Sequence, residues 1–478
     1  MKAPSLTKNF VLYLLKTLVG MFASIVLFPY AARMLGPEGI GKVQYAQTWV
    51  VYFQTFASLG VSYYAVREGT RLRDNPIELG RLCTEMVVIN VVTTLLAYLA
   101  FFVFLFTVPQ VRDYRGLLLL FSVNIFSMVL HLEWVYSILE DYTYISIRSI
   151  VVQCVSFVLL FLLVHGKEDY YKYAFVLVLP NVVTALMNIW HSRHLIHWAS
   201  LRGRTYFPHI KSIVLMFGIT LTATIYATLD TTMLGIQLGD QAVGYYTAAT
   251  KLSRAVATLV SAVCTVFLPR LSYYAGNEHK QEFEKLSTKA INIILGVAIP
   301  SSIGLALLAP ELIEIFSGQE FMAAVGPMRI LAFHLTLASL DTFFAWQILV
   351  PMKREAWVLT STLAGSALDG ILNAVFIPIF QVQGAAAATL IAEACVIGFY
   401  LIASRKFVPL CAYFANCYQY ILACFPFVVV WLVAQWLHLS TIAIVVFVVP
   451  VCSVLYVSVL LLLKNEMISI VKEKLLKK

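Results

Sequence analysis

The sequence predicts an all-α integral membrane protein of about fourteen transmembrane helices, and three observations carry that expectation. The 478-residue chain is 60% hydrophobic and only 12% charged, against about 25% charged residues in soluble proteins. Fourteen apolar stretches are long enough to cross about 30 Å of hydrocarbon. The connections between them alternate between many and few positive charges.

In chain order the stretches are 10–33, 43–64, 84–108, 116–138, 149–165, 173–191, 213–236, 245–269, 290–316, 325–350, 357–379, 384–404, 417–436 and 441–463. They take up 319 of the 478 residues. What is left averages about 11 residues per loop or tail, which is connector length. That excludes a catalytic head, a nucleotide-binding domain and any enzyme that needs a large folded loop.

Lys and Arg gather on cytoplasmic connections. With the amino terminus placed inside, inner segments carry 24 of the 34 cations, outer segments five, and five more fall within spans. An even number of spans then puts both termini in the cytoplasm. The net charge of +9 becomes a sorted surface facing anionic headgroups and calls for no nucleic-acid partner. The first span carries Lys16, is too long for a signal peptide and lacks a small-x-small cleavage site, so it reads as a retained helix. The eight cysteines form no CxxC pair, and neither a disulfide framework nor a metal site is expected of them.

Connection 192–212 divides the chain after six spans. His191, His194 and His197 recur there at helical spacing, but no carboxylate or Cys lies near to complete a metal site, so the segment reads as a linker. Beyond it the opening of the chain repeats. Met34-Leu35-Gly36, Gly41 and Tyr45-Ala46 are echoed by Met233-Leu234-Gly235, Gly244, Tyr246 and Ala248-Ala249, with the offset moving from 199 to 203. A repeat of six spans keeps its orientation, giving two lobes related by an axis along the membrane normal with a cleft between them. The expected organisation is a six-helix lobe over 1–205, a second over 206–410, and an appended two-helix hairpin with a basic tail over 411–478.

The turn from Asp230 through Met233 to Ala249, the run Ala309-Pro310-Glu311-Leu312 to Gly318, and the stretch Asn373 to Pro378 followed by Gly384, Thr389 and Glu393 together resemble the polysaccharide-transport branch of the multidrug/oligosaccharidyl-lipid/polysaccharide exporter superfamily. These are the O-antigen and related lipid-linked oligosaccharide flippases. The resemblance spans nearly the whole chain. It departs at Gln381-Val382-Gln383, where relatives often have a glycine-containing turn. It implies two six-helix lobes forming a V-shaped cleft plus a C-terminal helix pair, in the bacterial cytoplasmic membrane. It also implies alternating access, a polyprenyl-pyrophosphate-linked oligosaccharide as substrate, no enzymatic step, and a polysaccharide polymerase and glycosyltransferases as partners.

Ionisable groups within spans are costly and mark candidate sites. Lys251 and Arg254 lie one helical turn apart, and their donor sets suit the oxygens of a pyrophosphate. An intramembrane pair with Asp230 is the structural alternative. Lys16 and Arg33, in the first span, join them as candidate substrate contacts through the cleft-lining role that the resemblance implies, although snorkelling and interface anchoring account for each alone. Pro29 should kink that helix. Asp230, Asp341, Asp369 and Glu393 are candidates for binding a coupling proton or sodium ion, with structural hydrogen bonding as the alternative; no other cofactor and no metal is expected. His131 and Glu133 read as an interfacial polar cluster. Most of the eight tryptophans fall near span ends, as an interface belt requires. Ile468, Val471 and Leu475 among the tail lysines suggest an amphipathic helix on the inner leaflet. Two other functions are weighed: a cation-coupled multidrug antiporter of the same superfamily, and a membrane polysaccharide polymerase or glycosyltransferase, which would need a larger outer loop.

Overall fold

Backbone groups in hydrocarbon have no water to bond, so apolar runs of this length must satisfy them internally as helices. The computed structural model describes residues 6–193, 195–196, 207–276, 280–405, 407–465 and 467, and among them it is helical almost throughout with no strand. His194, His197 and the tail helix lie outside the described residues, and Lys16 falls in the first helix but outside the described side chains.

The chain divides by its contacts into two compact units, Met1–Gly244 and Tyr245–Lys478. The first contains α1 (Leu6–Ser58), α2 (Val61–Arg71), α3 (Pro76–Thr107), α4 (Arg115–Leu130), α5 (Glu133–Ile138), α6 (Tyr142–Leu163), α7 (Tyr170–Ser192) and α8 (Phe207–Leu238). Then follow α9 (Asp240–Gly276), α10 (Lys280–Leu307), α11 (Ala309–Ser317), α12 (Val325–Thr342), α13 (Glu355–Ser404), α14 (Leu410–Phe414), α15 (Cys417–Ala423), α16 (Phe425–Trp436) and α17 (Thr441–Leu462).

Ten helical stretches among the described residues are long and apolar enough to cross a membrane. The fourteen expected spans are consistent with this helix order, because α1 and α13 each carry two. At 1.5 Å per residue, 53 and 50 residues would make rods of about 80 and 75 Å, far longer than a bilayer is thick. Each is therefore broken. In α1 the break is Gly36, at φ 68, a conformation that glycine adopts without penalty. In α13 it is Gln381, at φ 54 and ψ −133, the position where the resembling family often has a glycine-containing turn.

In the first unit α1 packs against α3, α4, α6 and α8. Tyrosine and threonine hydroxyls tie the helices where apolar contact alone gives no specificity in lipid. The Thr93 hydroxyl donates to the Ala57 carbonyl at 2.6 Å, Tyr98 to the Ser122 carbonyl at 2.7 Å and Tyr30 to the Val164 carbonyl at 2.8 Å. Helix α8 lies along the second half of α1, with Tyr52 Oη 2.9 Å from Thr232 Oγ1 and Thr55 Oγ1 3.1 Å from Thr224 Oγ1. That packing puts α8 in the first compact unit, whereas the sequence repeat groups it with the helices after residue 205.

In the second unit α12 packs against α10 and α13. The two halves of α13 approach each other through small residues: a Cβ at Gly365 would meet the Val396 side chain, and one at Gly384 would overlap the Phe376 carbonyl. The C-terminal helices dock on α10 and α11. Tyr413 donates to Ser287 at 2.6 Å and Tyr456 to the Gly296 carbonyl at 2.6 Å.

The turn glycines correct one detail of the repeat. The sequence matches Gly36 with Gly235, yet the left-handed glycine of the second turn is Gly239, at φ 81. Four extra residues extend α8 before the reversal, in line with the expected shift of offset, and the two turn glycines are 203 apart.

Candidate functional site

Lys251 and Arg254 lie on α9, whose opposite face is fixed inside the second unit. The buried Ser253 hydroxyl donates to the Leu331 carbonyl of α12 at 3.0 Å, and Tyr246 Oη lies 3.1 Å from Thr389 Oγ1 of α13. At 100° per residue, Lys251 stands about 160° and Arg254 about 100° around the helix from Ser253. Both cations are thus on the side of α9 turned away from α12 and α13. Arg254 is exposed and Lys251 partly buried. Arg33 is exposed on α1, four residues beyond Pro29.

The acidic candidates separate into two groups. Asp230 is buried on α8 in the first unit. In the second unit Asp341, in α12, sits beside both Glu393 and Tyr400 of α13. Glu393 is 4% exposed and Asp369 1%. Asp369 lies on the first half of α13, one turn before the buried Asn373. No cluster of three metal-ligating side chains occurs among the described residues.

A cavity of about 470 Å³ opens in the second unit between α10 and α16–α17, bounded by Pro300, Gly304, Leu308, Phe427, Val449 and Tyr456 among others. Its walls are almost wholly apolar. The volume suits a stretch of hydrocarbon and offers little to a sugar or a phosphate.

Three polar clusters escape the sequence reading. Arg148 joins the expected His131–Glu133 cluster: it is 2% exposed, bonds Asn188, approaches Glu133 at 3.4 Å and lies over the Tyr144 ring. His209 links three helices, with Nε2 3.0 Å from Glu85 and Nδ1 2.7 Å from the Tyr64 hydroxyl. Glu311, noticed only as part of a motif, is 4% exposed and accepts from Trp431 Nε1 at 3.0 Å and from Gln435 Nε2 at 2.6 Å. Arg148 counted as an ordinary loop cation, and no local pattern marks His209; the proline at 310 and the apolar run behind Glu311 are the only signals for the third cluster.

Residues 6–275 match the family described as polysaccharide biosynthesis protein. A Haloferax volcanii protein named for flipping in low-salt glycan biosynthesis is 26% identical over 164 residues, and the match spans 34% of each chain, about a third of that relative's length. An Escherichia coli (strain K12) protein named for O-antigen transport is 21% identical over 78% of this chain and 90% of its own. Among solved structures, the inward closed conformation of the lipid II flippase MurJ matches with a TM-score of 0.78 at 15% identity, covering 96% of this chain and 100% of its own. An inward-facing multidrug resistance MATE transporter of the MOP superfamily matches with a TM-score of 0.62 at 15% identity, over 82% and 94%. At these identities the structural likeness establishes the fold, which is the one these transporters share.

Proposed function

We propose that this chain, which belongs to the polysaccharide biosynthesis protein family, is a flippase carrying a polyprenyl-pyrophosphate-linked oligosaccharide from the cytoplasmic to the outer leaflet. It is a multi-pass membrane protein, and in this reading it sits in a bacterial cytoplasmic membrane with both termini inside. It makes and breaks no covalent bond. The lobes over 1–205 and 206–410 expose a cleft alternately to either face, and the hairpin over 411–478 attends the lipid tail.

The observation that carries the reading is the placement of Lys251 and Arg254 one turn apart on the side of α9 turned away from α12 and α13. A pyrophosphate needs fixed donors to replace its water, and a forked guanidinium beside an ammonium supplies them. Lys16 and Arg33 are the further cations proposed to meet the headgroup. The apolar cavity beside α16–α17 favours a cargo with a long hydrocarbon part, since a free sugar phosphate would gain nothing from it. The neighbouring carboxyls Asp341 and Glu393 support coupling to a proton or sodium ion, with Asp230 and Asp369 as the other acidic candidates. Polymerase and glycosyltransferase partners follow from the same reading, since a flipped oligosaccharide has to be built on one side and joined on the other.

Replacing Arg254 with Ala should abolish surface glycan while leaving protein level intact, and Arg254→Lys should restore part of it. Normal glycan display in Arg254→Ala removes that residue from the mechanism. The acidic pair and the fold shared with multidrug transporters also favour a second reading, a cation-coupled drug antiporter. A drug-susceptibility panel with and without the gene separates the two.

A further inference from the structure

Of the five cations within the expected spans, Lys16, Arg33, Lys251 and Arg254 are taken up by the transport reading and Arg329 is not. Arg329 is the fifth residue of α12, about 6 Å below the start of that helix. Met328, Leu331 and Leu335 are buried on α12, whereas Arg329 and Phe333, one turn apart, are exposed on another side of it. Beside them, within the second unit, lies a cavity of about 320 Å³ walled by Ile303, Ala306 and Leu307 of α10 and by Trp431 of α16. Its walls are pinned. Ser302 Oγ lies 2.7 Å from Thr336 Oγ1, which holds α10 against α12, and the Trp431 indole donates to Glu311 at 3.0 Å. No carboxylate among the described residues pairs with the Arg329 guanidinium. A cation within a span calls for a partner, and every other wall of this cavity is aliphatic or aromatic.

We propose that this cavity is a phospholipid site, in which Arg329 holds the phosphate and part of an acyl chain lies against Phe333 and Trp431. The site goes beyond the flippase reading and needs only a chain that spans the membrane; the charge sorting assigns it to the outer leaflet. A guanidinium offers parallel donors to phosphate oxygens, and a chain among the apolar walls gains close dispersion contacts. One guanidinium matches the single charge of a phosphodiester, whereas a pyrophosphate carries more than Arg329 alone can balance. A lipid bound here touches both α12 and α16, so it adds a second tie to the hairpin that Glu311 already holds. The alternative is an arginine that snorkels to the interface and holds no particular lipid.

Phosphatidylglycerol with brominated chains, titrated into the purified full chain in detergent, tests the site by quenching tryptophan fluorescence. The part of the quenching that Trp431→Phe removes reports this cavity. That part should saturate, and its midpoint should rise about tenfold in Arg329→Ala, the loss of one charge-assisted hydrogen bond. Arg329→Lys should restore some of the affinity. Ala306→Phe, which fills the cavity and keeps the cation, should weaken binding as well, and it carries the test should Arg329→Ala fail to fold. Equal midpoints in the unsubstituted protein, Arg329→Ala and Ala306→Phe overturn the proposal. A diacylglycerol with the same brominated chains that binds as tightly overturns the role of the phosphate. Displacement of the lipid by inorganic phosphate at equal concentration overturns the role of the chain. Polyprenyl phosphate that displaces phosphatidylglycerol at a tenth of its concentration assigns the cavity to cargo and overturns the phospholipid. The titration uses no lipid-linked glycan, so a failure of the flippase reading leaves its outcome unchanged.

Discussion

Removing the Glu311 carboxylate should loosen the C-terminal helices from the rest of the second unit, and the structure sets the size of the effect. Glu311 is buried and accepts from both Trp431 and Gln435 of α16. The neighbouring Glu314 accepts from Thr441, at the start of α17, at 2.9 Å. Hydrogen bonds to a charged acceptor contribute about 1.5 to 3 kcal/mol each. Losing both to Glu311 therefore costs about 3 kcal/mol once the orphaned indole and amide find partial replacements. Glu311→Gln keeps one oxygen and should cost about half as much. The assay is thermal unfolding of the purified protein in detergent, read alongside protease cleavage in the connection before α14. Glu311→Ala should lower the melting midpoint by several degrees, at about 2 °C per kcal/mol for a large chain. In a double-mutant cycle with Trp431→Phe the coupling should exceed about 1 kcal/mol. Melting at the parent temperature, or additivity in that cycle, would refute the view that this glutamate holds the hairpin.

The break in α13 gives a test of opposite sign at neighbouring positions. Gln381→Gly should raise stability by about 1 to 2 kcal/mol, because a side chain in the left-handed region carries strain that glycine lacks, whereas Gly384→Ala should lower it by more than about 2 kcal/mol by driving a methyl into the Phe376 carbonyl; denaturation midpoints of the two variants decide. For ion coupling, Glu393→Gln should leave binding of lipid-linked glycan intact but remove at least tenfold of the acceleration that an imposed proton or sodium gradient gives in proteoliposomes. A rate in the unsubstituted protein that ignores both gradients would exclude the pair from coupling.

The helix order was legible because hydrocarbon imposes one strong rule, that a spanning segment be long, apolar and internally bonded. The breaks in α1 and α13 were readable for the same reason: neither run fits one crossing. The repeat was readable from residue types, with its shift of offset from 199 to 203, but the glycine that makes the second turn was not. Met-Leu-Gly recurs at 199, yet the reversal belongs to whichever glycine adopts positive φ, and that is Gly239. Backbone conformation, not identity, sets the equivalence. Arg148 shows a harder limit. As a residue between two spans it looked solvated, but it is 2% exposed because Tyr144 covers it and Asn188, 40 residues further on, supplies an acceptor. Glu311 was visible as a motif member while its partners, 120 and 124 residues away, were not. Charges neutralised by distant elements leave no local signature.

That distinction also separates the candidate cations by more than depth. Arg148 has a carboxylate and an amide within its own unit, and His209 has a carboxylate and a hydroxyl. Each is an interior strut whose loss would leave a buried partner unsatisfied, and depth in the bilayer alone would have ranked both below Lys251 and Arg254. The helix face is the better discriminator. On α9 the positions fixed to α12 and α13 carry a serine and a tyrosine, which bond neutrally and permanently, while the cations occupy the side those helices do not cover. An ionisable side chain within a span is costly and calls for a polar cavity or a partner. A flippase has a use for such cations, because a headgroup that has to bind and then leave needs donors that are held by the scaffold. The division of α9 into a neutral face docked on α12 and α13 and a cationic face turned away from them is therefore the feature on which the flippase reading rests.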